Sequence, residues 1–76
     1  MKVKELVEVL FVYTNCVLVD SRKGYKDVAE DVVAIDIRLK EEYEQYLDRE
    51  VTTVLIYKRY IPFEDKMVDS IIIYIK

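Results

Sequence analysis

Ser70-Ile71-Ile72-Ile73-Tyr74-Ile75 is the run on which the fold turns. It is β-branched and aromatic, the composition of a strand. Side chains alternate across a strand, so Ile71, Ile73 and Ile75 face one way and Ile72 and Tyr74 the other. Both faces are apolar. Such a strand is either central under two layers or pressed against another subunit, which makes Ser70 to Ile75 a candidate homodimer contact.

Working outward, Cys16-Val17-Leu18-Val19-Asp20 is a short apolar run bounded by turn residues, and it reads as a central strand. Ser21-Arg22-Lys23-Gly24 supplies the turn after it, with the only glycine of the chain where a positive φ is expected. Residues 25–31 fit either a helical turn over Asp27-Val28-Ala29-Glu30 or a loop. Val33, Ile35, Ile37 and Leu39 then alternate with Ala34, Asp36, Arg38 and Lys40, a period of two that predicts a half-buried strand. Glu50 to Tyr57 is rich in Val, Thr and Ile and predicts another. Pro62 cannot lie in a central strand, so a connection is expected near residues 60–68.

Two segments follow a helical period instead. Val3, Leu6, Val7, Leu10 and Phe11 form one stripe over residues 3–12, with Lys2, Lys4, Glu5 and Glu8 opposite and Thr14-Asn15 as the stop. Leu39, Tyr43, Tyr46 and Leu47 predict a short helix, with Glu41, Glu42 and Glu44 near its start where the dipole favours negative charge. The expected fold class is α+β: a single domain over residues 1–76 with a small antiparallel sheet, two helices on one face, in the order α-β-β-α-β-β.

The chemistry is narrowed by what the chain lacks. The 76 residues include no His, one Cys and one Gly, with a formal charge of −3 from 12 basic and 15 acidic side chains. Without His, the commonest general base and metal ligand is missing. Cys16 lies in an apolar run with no activating neighbour, so it reads as a buried small hydrophobe. One glycine cannot build a phosphate cradle. Asp20 and Asp36 could form an acid pair, but a solvated surface role is the simpler reading. No calcium loop is spelled by Asp20-Ser21 or Asp27-Glu30-Asp31. No cofactor and no metal are expected, and the acidic balance disfavours nucleic acid. Acids at Glu5 and Glu8 interrupt the start before any long apolar core, and no run approaches a membrane span, so a cytoplasmic location is the expectation.

What remains is surface. Tyr57-Lys58-Arg59-Tyr60 mixes bases with aromatic rings, and Tyr and Arg dominate binding hot spots. Tyr57, Arg59, Tyr60 and Phe63 are therefore the first candidate partner-binding set. Glu41, Glu42 and Glu44 are a second, acidic one that could meet a basic groove.

Val3-Lys4-Glu5-Leu6-Val7, the strand ending in Asp20, and Tyr46-Leu47-Asp48-Arg49-Glu50-Val51 before a strand together resemble small phage and prophage accessory proteins of Gram-positive bacteria. The motifs are structural and transfer no site residue. The resemblance implies a phage context, in which small proteins bind and block a host protein, as anti-CRISPR and other anti-defence inhibitors do. The leading expectation is a non-enzymatic protein-binding module acting on a host or defence protein by steric occlusion. A structural homo-oligomer and a nucleic-acid-binding regulator using Lys58 and Arg59 are the alternatives.

Overall fold

The apolar runs Cys16–Asp20 and Ile71–Ile75 lie side by side and parallel at the centre of a four-stranded sheet. The computed structural model describes residues 1–76, with the side chain of Arg59 outside the described residues. Its elements are α1 (Val3–Val9), β1 (Asn15–Asp20), a 3-10 turn (Ser21–Lys23), β2 (Lys26–Val33), α2 (Ala34–Leu39), a 3-10 segment (Glu41–Tyr46), β3 (Val51–Ile61) and β4 (Lys66–Ile75). The strand order is β2-β1-β4-β3. Neighbours β1 and β2, and β3 and β4, are antiparallel. The chain is a small mixed α+β domain, and the sheet is mixed where an antiparallel one was expected. The departure lies at β4, which runs antiparallel to β3 on one edge and parallel to β1 on the other. Among the described residues no helix is long and apolar enough to cross a membrane.

Register explains the two apolar faces of β4. Cys16 lies opposite Ile71, Leu18 opposite Ile73 and Asp20 opposite Ile75. Cys16, Leu18, Ile73 and Ile75 share one buried cluster with Val3 and Val7 of α1, Ala34 and Ile37 of α2, and Tyr46. The alternate residues Val17, Val19, Ile72 and Tyr74 occupy the other face. Both edges of β4 are hydrogen-bonded, so a second chain could reach Ser70 to Ile75 only through Ile72 and Tyr74 on that face.

Several segments differ from their sequence patterns. The alternating run 33–39 is not a strand. Val33 ends β2 and Ala34–Leu39 is helical. Ala34 and Ile37, three apart, are both fully buried, whereas Leu39 is 70% exposed. In so short a run the helical spacing of those two and the alternating spacing coexist, and packing on α1 selects the helix. The ambiguous residues 25–31 join β2 instead. The expected helix after Leu39 is a 3-10 segment, whose three-residue turn stacks Tyr43 and Tyr46 toward the core. Helix α1 stops at Val9, and Leu10 caps it in an extended conformation. Phe11 and Tyr13 are left outside the stripe, exposed and in edge contact with each other. Strands β3 and β4 both run into the expected 60–68 connection, leaving only Pro62–Asp65 as the turn.

One ion pair ties these pieces together. Asp20, 1% exposed at the end of β1, accepts from Arg49 Nη2 at 2.7 Å and from the Arg22 backbone N–H at 2.9 Å. Arg49 Nε donates to the Lys76 carbonyl at 2.8 Å, and Ser21 Oγ to the Ile75 carbonyl at 2.7 Å. The end of β1, the entry to β3 and the end of β4 are thereby clamped at one point. Asp20 Oδ2 is buried with no hydrogen-bond partner among the described residues, so the carboxylate leans on Arg49. The Arg49 hydrogen bond holds the Asp20 carboxyl below the usual carboxylate range, against the opposing effect of burial. A folded value below the unfolded one means that this stabilisation is complete above about pH 4 and fades as pH falls through the folded value.

Arg49→Met strands a buried carboxylate and is expected to remove about 3–5 kcal/mol at neutral pH. Without its cation, Asp20 titrates upward, so protonation relieves the variant as pH falls toward the ordinary carboxylate range. Urea denaturation at neutral pH and near pH 4 should show the deficit shrinking at the lower pH. An equal deficit at both would refute the clamp.

Candidate functional site

The face of the sheet opposite the helices carries the candidate site. Both α-helices send their buried residues to the Leu18–Ile73 side. Across the opposite face run Val17 and Val19 from β1, Ile72 and Tyr74 from β4, Leu55 and Tyr57 from β3, and Asp27 and Glu30 from β2. No secondary-structure element lies over them among the described residues. Val17 and Val19 are nonetheless 6% and 5% exposed, screened by the larger side chains around them.

Tyr25 organises this face. It follows Gly24, and both residues are left-handed, at φ 60° and 66° respectively. Glycine adopts that conformation freely, but a bulky aromatic residue there is strained by about 1–2 kcal/mol. Asp31 and Asp65 also have positive φ, as short polar side chains tolerate. The Tyr25 backbone places its ring edge-on to Tyr74, with centroids 6.3 Å apart and planes at 68°. This tyrosine pair forms a ridge between two open grooves. One is lined by Val17, Val19, Ile72 and Tyr57, with Asp27 and Glu30 contributing carboxylates. The other is lined by Ser21, Thr52, Thr53, Leu55 and Lys76. The face thus combines an apolar floor, three amphipathic rings and a charged border.

The residues singled out in the sequence fall into separate places. Tyr57 belongs to this face, half-buried in the first groove. Arg59 has its side chain outside the described residues. Tyr60 and Phe63 lie on an arm: β3 beyond Tyr57 and β4 before Ser70 continue past the start of β1 as two strands alone. Tyr60 is half-exposed and its hydroxyl donates to Asp65 Oδ1, which pushes the phenol pKa up. Phe63, in the turn, is 98% exposed. Glu41, Glu42 and Glu44 sit exposed on the 3-10 segment before β3, while the arm's turn lies beyond the far end of that strand, about 30 Å along it. The structure does not join the two sets into one site.

The remaining reactive groups are already engaged. Cys16 is fully buried, its Sγ lies 3.4 Å from the Thr14 carbonyl, and burial pushes the thiol up to about 11. It is a protonated core residue at neutral pH. Asp20 is held by Arg49, and Asp36 pairs with Lys40 at 3.5 Å, so the acid pair considered from sequence does not form. Among the described residues no cluster of three metal-ligating side chains occurs. Tyr25 escaped the sequence reading, which placed Tyr74 with Ile72 on the second apolar face of Ser70 to Ile75 but did not pair it with Tyr25. The Gly24-Tyr25 step and the shared parity of Val17, Val19, Ile72 and Tyr74 are the signals that point to the pair once the β1–β4 register is known.

Comparison with protein-family models, with curated proteins and with solved structures gives no match.

Tyr25→Gly is expected to leave stability within about 1 kcal/mol of the parent, because relief of left-handed strain offsets the lost ring contact of about 0.5–1.5 kcal/mol and the freer unfolded chain. Chemical denaturation measures this. A loss well beyond that would make the ring part of the core instead of a surface element.

Proposed function

We propose that the protein is a non-enzymatic protein-binding module, and that it uses the uncovered sheet face to engage its partner. The observation that carries this reading is Tyr25: a strained backbone holds an aromatic ring on the surface, against Tyr74, where it contributes little to the core. Strain retained at an exposed position is a mark of a functional segment. Tyr57 shares the groove beside that ridge, and the arm bearing Tyr60 and Phe63 extends the same sheet edge outward. Tyrosine rings supply large contact area at small entropic cost, which suits them as anchors.

The mode of action that fits is occlusion. A domain of 76 residues with its thiol buried can still deny a partner one of its own surfaces. The resemblance to small phage accessory proteins favours a host or defence protein as that partner. The net negative charge favours a partner with a basic surface.

Capture from a bacterial lysate by the tagged protein, followed by affinity measurement with the purified partner, tests the reading. Tyr25→Gly and Tyr57→Ala should each weaken the complex by about 2 kcal/mol, roughly thirtyfold in Kd. Tyr60 has the strand parity of Val54 and Ile56, on the helix side of the sheet, so Tyr60→Ala should bind as tightly as the parent with an unchanged circular dichroism spectrum. Folded variants that all bind as tightly as the parent would overturn this use of the face.

A further inference from the structure

The two edges of the sheet are built differently. Edge strand β2 carries Lys26, Asp27, Glu30 and Asp31, and its pairing with β1 is broken by register shifts on either side of Leu18. Charges and bulges are the standard protection of an open edge against pairing with another chain. Edge strand β3 carries Lys58 and Arg59 toward its far end but is uncharged before them. From Thr52 to Tyr57 it reads Thr-Thr-Val-Leu-Ile-Tyr, with no charge, and no proline interrupts it before the turn at Pro62. Its single register shift lies at the very start, between Val51 and Thr53.

Only that start is covered. The Val3 N–H donates to the Arg49 carbonyl at 3.0 Å and the Val51 N–H to the Met1 carbonyl at 2.8 Å, so the first residues of the chain occupy the outer edge as far as Val51. From Thr52 onward, nothing among the described residues pairs with the outer side of β3. Val54 and Ile56 lie on the helix side of the sheet, opposite Ile73 and Ile71, but the helices do not reach them. Val54 is 39% exposed and Ile56 76%.

We propose that β3 pairs antiparallel with β3 of a second copy, joining two sheets into one of eight strands. Geometry singles out the register. Residues directly opposite each other in an antiparallel ladder have the same hydrogen-bonding orientation, so a two-fold axis must pass through a residue and not between two. Strand β3 runs from Val51 to Ile61, and its midpoint is Ile56, the most exposed aliphatic side chain of the strand. With the axis there, Thr52 faces Tyr60, Val54 faces Lys58, and Leu55 faces Tyr57. Val51, where the amino-terminal residues end the free edge, meets Ile61, where the partner's strand ends. The free edge thus has the length and the charge pattern to accept itself, with no lysine opposite a lysine. The axis stands perpendicular to the sheet, so both helix layers fall on one side and both tyrosine faces on the other. Ile56 and its mate then cover each other in the gap between the helix layers.

Sedimentation equilibrium from micromolar to submillimolar concentration tests the proposal. The parent should shift to the mass of two chains as concentration rises, with a concentration-dependent Tm. Ile56→Lys puts two like charges at the axis, and it should give the mass of one chain throughout with an unchanged circular dichroism spectrum. Lys26→Glu on the opposite edge should dimerise like the parent. A parent that stays monomeric over the whole range would overturn the proposal, leaving this edge to a strand of another protein. So would an Ile56→Lys variant that remains folded and dimeric. None of these outcomes depends on the binding role of the tyrosine face.

Discussion

Two apolar strands that lie parallel at the centre of the sheet impose most of this structure. β1 and β4 carry the fully buried Leu18, Ile73 and Ile75, and they sit in adjacent central positions. Parallel neighbours cannot be joined by a tight turn. Everything between Ser21 and Asp65 is the connection that brings the chain back to β1: β2 on the near side, α2 and the 3-10 segment over one face, and β3 as the far edge. The Asp20–Arg49 pair fastens that circuit where it closes, since Arg49 also holds the last carbonyl of the chain. A buried carboxylate is a poor source of stability by itself, but removing its cation is severe. The pair therefore acts mainly as a fastener that fixes how β1, β3 and β4 meet.

How far the sequence discloses this varies along the chain. β1 and β4 are legible as strands from composition alone, and the Gly24 turn from its glycine. The parallel pairing is not legible, because it joins residues more than fifty positions apart and no local pattern records direction. Val33 to Leu39 satisfies a strand period and a helix period at once, and only the presence of α1 against Ala34 and Ile37 decides between them. The ends of β3 and β4 were hidden by Pro62: a proline bars a central strand, but it fits a turn at the tip of a two-stranded arm. Asp20 and Arg49 each stand in recognisable runs, yet their meeting depends on strand order.

The candidate site divides along the same line. Tyr57, Tyr60 and Phe63 are visible in sequence as aromatic residues near charge, and the structure leaves Tyr60 and Phe63 exposed. Tyr74 is placed by strand parity on a second apolar face, but Tyr25 is not visible, since its position depends on a left-handed backbone. The buried residues of α1 and α2 join Leu18 and Ile73 in one cluster, and the second apolar face of β4 carries a tyrosine ridge of its own.

That division of the sheet into a sealed face and an open one is the central claim, and the tyrosine rings report it directly. A soluble paramagnetic agent broadens aromatic NMR signals in proportion to their exposure. In the isolated protein at low concentration, the Tyr25, Tyr57 and Tyr74 ring signals should broaden while the buried Tyr46 ring, 8% exposed, is spared. Protection of Tyr25 and Tyr74 equal to that of Tyr46 would mean that the face is covered, and would contradict the account.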